Sequence, residues 1–233
     1  MIKNNSVLLG DCLQLMKDIP DKSIDLLLTD PPYRIHCIGG GMMSRRGLLD
    51  KIQEEKLNEF NPIEFLEIVK PKMKLFHAYI FCSKDLLYDY IGWINKNDYN
   101  WDLLIMAKYN PIPTHNNKYL SDKEYVLFIR EKGGCYFNND LNHNYYYSVK
   151  NINVISSKYK HPTEKQVNYI TDMIRISTKQ NDLILDPFAG TGTTGLACIK
   201  ENRNYILIEK EKKYYKIINS RIEQELDKIK IIF

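Results

Sequence analysis

The chain has 233 residues, 44% of them hydrophobic, and a formal net charge of only +4. That length fits one sizeable α/β core, and apolar runs such as Tyr205-Ile-Leu-Ile208 are far too short to span a bilayer. The five cysteines are odd in number and form no C-x-x-C pair, and no apolar leader follows Met1, so a reducing, cytoplasmic setting without a disulfide framework or zinc site is expected.

In chain order, apolar runs closed by polar turns read as strands over 7–9, 24–29, 78–81, 103–106, 125–129, 183–185 and 205–208. Helical patterns lie between several of them, over 12–19, 62–70, 84–95, 166–177, 194–201 and 212–228. Strands alternating with helices predict an α/β fold, a doubly wound and mostly parallel sheet covered on both faces. The run 121–130 has no convincing crossover helix before it, which an antiparallel edge strand would explain. Two stretches break the alternation. Residues 34–53 carry three consecutive glycines and then Arg45-Arg46, and read as a mobile loop. Residues 131–160, rich in Asn, Tyr and Gly, read as an insertion on a single domain spanning 1–233.

Two motifs carry chemistry. LTDPPY at 28–33 ends a buried-looking strand with an acid, two prolines and a tyrosine. Prolines fix φ near −65° and restrict the residue before them, so Asp30, Pro31, Pro32 and Tyr33 form a stiff rim. The second motif runs from Asp186 through Pro187, Phe188, Ala189, Gly190, Thr191, Gly192, Thr193 and Thr194 to Gly195. Its glycines satisfy G-x-G-x-x-G, and Glu209 follows 14 residues after Gly195, so a nicotinamide-dependent oxidoreductase has to be considered. Asp186 argues otherwise: a carboxylate at the strand end repels a pyrophosphate but could receive an ammonium. S-adenosylmethionine, an amino acid joined to a ribonucleoside, fits better, with Glu209 accepting from the ribose hydroxyls.

Taken together, LTDPPY, HPTEKQ at 161–166 and DPFAGTGTT at 186–194 resemble the β-class amino-methyltransferases of DNA, over nearly the whole chain and in that family's circularly permuted motif order. The resemblance implies a Rossmann-like sheet of seven strands with a reversed last strand, S-adenosylmethionine as cofactor and double-stranded DNA as partner. It implies that Asp11 and Cys12 lie near the cofactor adenine, and that His161, Thr163 and Lys165 help hold its methionine end. Glu164 and Gln166 depart from the commoner Gln and Pro of that segment. By the same resemblance 34–53 faces DNA and 131–160 is a small target-recognition insertion. Dimers are common in that family, and a restriction endonuclease is a further partner it suggests.

A DPPY motif led by aspartate, Asp30, is usual there for adenine N6; a leading serine is commoner for cytosine N4. The amino nitrogen of adenine is a poor nucleophile, because its lone pair is delocalised into the ring. Asp30 and the Pro31 carbonyl would accept its protons and stabilise the charge that develops on nitrogen, with neither proline adding a competing N–H. A stacked base is out of reach, so it must be extruded, and Tyr33 would stack on it. The rivals are cytosine N4 or RNA as acceptor, the oxidoreductase, and a DNA-binding protein that has lost catalysis. Arg45, Arg46, Lys158 and Lys160 could bind phosphates or be solvated surface charge, and Asn110-Pro-Ile-Pro113 could line the base pocket or be a plain turn.

Overall fold

The computed structural model describes residues 2–32, 60–111, 119–152 and 165–232. Its strands are β1 (Ser6–Leu9), β2 (Leu26–Thr29), β3 (His77–Cys82), β4 (Asn100–Lys108), β5 (Lys123–Arg130), β6 (Val149–Ile152), β7 (Leu183–Asp186) and β8 (Asn204–Glu209). The α-helices are α1 (Cys12–Leu15), α2 (Pro62–Val69), α3 (Leu87–Lys96), α4 (Val167–Ser177), α5 (Thr193–Lys200) and α6 (Lys212–Ile232). All thirteen elements expected from the sequence are present, with ends shifted by a few residues.

The strands form one sheet in the order β1-β8-β7-β2-β3-β5-β4-β6. β5 pairs antiparallel with both β3 and β4, and the other pairings are parallel. Two expectations are corrected here. The sheet has eight strands, not seven, and the reversed strand is interior, not an edge. The extra strand, β6, reads Val-Lys-Asn-Ile and is only partly covered, so no apolar run announces it. It exists because the free edge of β4 offers backbone partners, with Ile105 opposite Val149 and Lys108 opposite Ile152.

Local sequence explains the layers. All of β2, Leu-Leu-Leu-Thr, is buried, as a parallel strand covered on both faces must be. α2 begins where the Asn61 side chain accepts from the amides of Ile63 and Glu64, with Pro62 preset for the first turn. Phe65, Leu66 and Val69 then fall on one stripe and are fully buried; burying such side chains stabilises by about 1.5–3 kcal/mol each. With Met16, Tyr90 and Ile94 they form the core on one face of the sheet. The opposite core takes Ile170 and Ile174 of α4, Leu196 of α5 and Ile218 and Ile222 of α6. No helix among the described residues is long and apolar enough to cross a membrane.

The topology fixes where a ligand can sit. From β2 the chain continues through α2 to β3 on one side, and from β7 through α5 to β8 on the other. Because β2 and β7 are neighbours, the order reverses between them and opens a crevice at their carboxyl ends. Asp30 and Asp186 stand on its two rims.

Candidate active site

On the β7 side, the chain leaves Asp186 through a loop whose turns call for glycine. Gly190 and Gly192 have φ of 53° and 82°, values that side chains disfavour. A Cβ on Gly192 would also lie 3.0 Å from Ile218. Pro187, Ala189, Thr191, Thr193 and Thr194 are buried, and the Arg221 guanidinium donates to the Thr191 carbonyl at 2.8 Å. Phe188 packs at 5.6 Å against Phe60 and 5.5 Å against Phe65, ring centroid to centroid.

Asp186 is buried, and its oxygens accept from Thr29 Oγ1 at 3.1 Å, the Phe188 amide at 3.2 Å and Thr194 Oγ1 at 2.5 Å. It therefore ties β2, β7, the glycine loop and α5 together, a bracing role that the sequence reading did not assign. Burial pushes its pKa up to about 6 against those hydrogen bonds, with the nearby Asp30 charge adding to the rise. Thr29, which stands within LTDPPY, is the partner that sequence reasoning missed.

Glu209 is not a solvated strand-end acid. It is 8% exposed, and it accepts from the Gly190 amide at 2.8 Å and the Glu211 amide at 2.7 Å. Burial raises its pKa to about 7. A carboxylate so placed, beside a loop with no side chains at its turns, fits the two hydroxyls of a ribose. Asp11 neighbours it, since the Gly10 amide donates to the Glu209 carbonyl at 3.0 Å, and Asp11 caps α1 through the Leu13 amide at 2.9 Å. Cys12 is buried and its thiol is pushed up to about 12, chiefly by burial, which keeps it protonated and unreactive.

On the β2 side, Leu26 and Leu28 face the α4–α5–α6 core, and strand alternation carries Asp30 to that same face. There Lys165, just before α4, meets it: Lys165 Nζ lies 2.9 Å from Asp30 Oδ2. The same ammonium is 2.9 Å from Glu124 of β5 and 4.6 Å from the centroid of the Phe81 ring. Glu124 in turn is 2.9 Å from Lys108 of β4. Burial opposes the charge on Lys165, yet Asp30 and Glu124 hold its pKa above the usual lysine value, so it is an ammonium and not a base. The structure thus brings Lys165 to Asp30, whereas the resemblance implied only the methionine end. Pro31 is buried and Pro32 partly so.

Tyr33, His161 and Thr163 lie outside the described residues, as do Arg45, Arg46, Lys158, Lys160 and the whole loop expected over 34–53. Asn110 and Pro111 follow β4 at the sheet edge that carries Asp30. The segment expected to read the target is divided. Because β5 runs backwards, 131–148 starts from the opposite edge, where the Glu131 side chain accepts from the Phe76 amide at 2.8 Å. It then straps onto α4, with the Asn138 amide donating to the Ile176 carbonyl and Arg175 donating to the Tyr145 hydroxyl, each at 2.7 Å. Among its described residues, only β6 returns toward the Asp30 edge.

A family model described as DNA methylase matches residues 24–220. Among curated relatives, the type II methyltransferase M2.DpnII of Streptococcus pneumoniae is 30% identical over 261 residues, 96% of this chain and 91% of that protein. A crystal structure of the M1.HpyAVI–SAM complex superposes with a TM-score of 0.71 at 29% identity, over 93% of this chain and 98% of that one. The cytosine-N4-specific PvuII DNA methyltransferase shares the fold, with a TM-score of 0.70 at 18% identity over 97% of this chain and 92% of that one. With that family model matched over most of its length, the chain belongs to the DNA methylases.

Proposed function

We propose that this chain transfers a methyl group from S-adenosylmethionine to the N6 amino group of an adenine swung out of duplex DNA. The observation that carries this reading is the placement of Asp30 and the glycine loop on opposite rims of the switch-point crevice. When bound, S-adenosylmethionine supplies an electrophilic methyl group on a sulfonium. Gly190 and Gly192 let the loop make its left-handed turns beside the crevice, and Glu209 offers a desolvated acceptor to ribose hydroxyls. Asp11, Cys12, Asp186, Pro187, Phe188, Ala189, Thr191, Thr193 and Thr194 shape that half of the site, with His161 and Thr163 expected beside it.

Asp30 accepts a hydrogen bond from the target amino group and stabilises the positive charge that grows on nitrogen in the transition state. The Pro31 carbonyl is the second acceptor, aimed by two fixed φ angles. Tyr33 stacks on the extruded base, an interaction worth about 1–3 kcal/mol. Among the described cysteines, Cys12, Cys82 and Cys198 are buried thiols, and the chemistry needs no covalent enzyme intermediate. The fold likeness to the cytosine-N4 enzyme keeps cytosine as the second reading; the aspartate that leads the motif favours adenine. Family habit further suggests a cytoplasmic homodimer with a companion restriction endonuclease, which light scattering and cleavage assays on host extract would check.

The test is labelled methyl transfer onto duplex DNA of mixed sequence, with Asp30→Ala as the control. We expect the native chain to label DNA, and the variant to lose at least about a hundredfold in rate while binding S-adenosylmethionine nearly as well. Equal rates for the two proteins would defeat the role given to Asp30.

A further inference from the structure

Four charged side chains alternate in sign along the α4 face of the sheet: Lys108 on β4, Glu124 on β5, Lys165 before α4, and Asp30 after β2. Each neighbouring pair is separated by 2.9 Å. The row is sheltered, with side-chain exposures of 20%, 24%, 14% and 18% respectively. Lys108 and Glu124 belong to none of the motifs. Surface ion pairs contribute little, but a sheltered row is different, because removing one member leaves its neighbour's charge uncompensated.

The geometry points to Glu124 as a positioning residue for methyl transfer, acting through Lys165. An ammonium has three donors. With Asp30 as its sole anionic partner, Lys165 would settle wholly onto that carboxylate and compete with the amino protons of the target base. Glu124 holds the same ammonium at an equal distance on the other side, so the Lys165 charge is shared between two carboxylates. The Phe81 ring beneath it limits sideways movement. Lys108 supports Glu124 from behind and keeps it ionised: burial alone would raise the Glu124 pKa, yet Lys165 and Lys108 bring it below the usual glutamate value. Cross-strand register delivers this arrangement, since Glu124 pairs with Met106 and so stands beside Lys108, two residues farther along the same face of β4.

This inference rests on the methyl-transfer reading, and a double-mutant cycle separates the two. Glu124→Gln keeps the shape and removes the charge. We expect kcat to fall about tenfold, with the dissociation constant for S-adenosylmethionine and the KM for DNA within about twofold of native. In a Lys165→Met background the same substitution should cost less than about twofold more, because the group through which Glu124 acts is gone. A purely structural role would instead lower the melting temperature and cost the same factor in both backgrounds. If Glu124→Gln does not fold, Glu124→Asp takes its place, since it keeps the charge but is too short to hold both lysines. Native kcat in the Glu124 variant, or an undiminished tenfold loss on top of Lys165→Met, would overturn the inference while leaving the methyltransferase reading intact. A native chain that labels no DNA would overturn both.

Discussion

Glu209 shows what a single residue contributes when its surroundings are dry. Its folded pKa of about 7 lies above the ordinary glutamate value of 4.5, so the folded state holds that proton more tightly than the unfolded chain does. The sign follows: this group makes stability fall as pH rises from about 4.5 to about 7, and the full penalty stands above that window. Melting temperatures across the window should therefore fall less steeply in Glu209→Gln than in the native protein; parallel curves would contradict the assignment. Asp186, raised to about 6, acts with the same sign over a lower window. Ionised Glu209 is the better acceptor for hydroxyl groups, so S-adenosylmethionine should bind more tightly as pH passes through about 7, and the variant should lose that trend. Asp30 and Asp186 stand out in the sequence because each closes an apolar strand directly before proline, and Glu209 because it closes the strand that follows the glycine motif. Glu124 and Lys108 do not stand out. Their meaning depends on the β4–β5 register and on Lys165, 41 residues away, and in the sequence they look like solvated charge.

At the scale of the element, the close approach of α5 to β8 is set by one absent side chain. A Cβ on Gly195 would lie 2.6 Å from Leu207 Cδ1, inside a filled core. Gly195→Ala should cost about 1–3 kcal/mol in unfolding free energy, as overpacking does. Adding Leu207→Val, which removes that methyl group, should recover part of the loss; strict additivity of the two substitutions would count against the contact. Periodicity located the helices well, because stripes such as Ile170, Met173, Ile174 and Ser177 on α4 repeat with the helical period. It missed β6 because four residues with two polar side chains carry no periodic signal, and only the waiting edge of β4 makes them a strand.

For the molecule as a whole, the sheet order puts Asp30 and the glycine loop at the switch point between β2 and β7. Alternation of strands and helices predicted a doubly wound sheet but not which strands would be neighbours, and the crevice depends on that pairing. The strap over 131–148 begins at the far edge, so we expect it to brace α4 and leave base reading to other segments. Tyr145→Phe removes the hydroxyl held by Arg175 and should lower stability by about 1 kcal/mol without changing which DNA sites are modified, as sequencing of methylated DNA would report. A changed site preference would return recognition to the strap.

The central claim is that this crevice presents the amino group of one extruded purine to a sulfonium methyl. Nucleoside analysis of duplex DNA after reaction with the native chain and labelled S-adenosylmethionine tests it most directly. The account predicts that the label appears as N6-methyladenine. Label recovered as N4-methylcytosine, or in RNA alone, would contradict it.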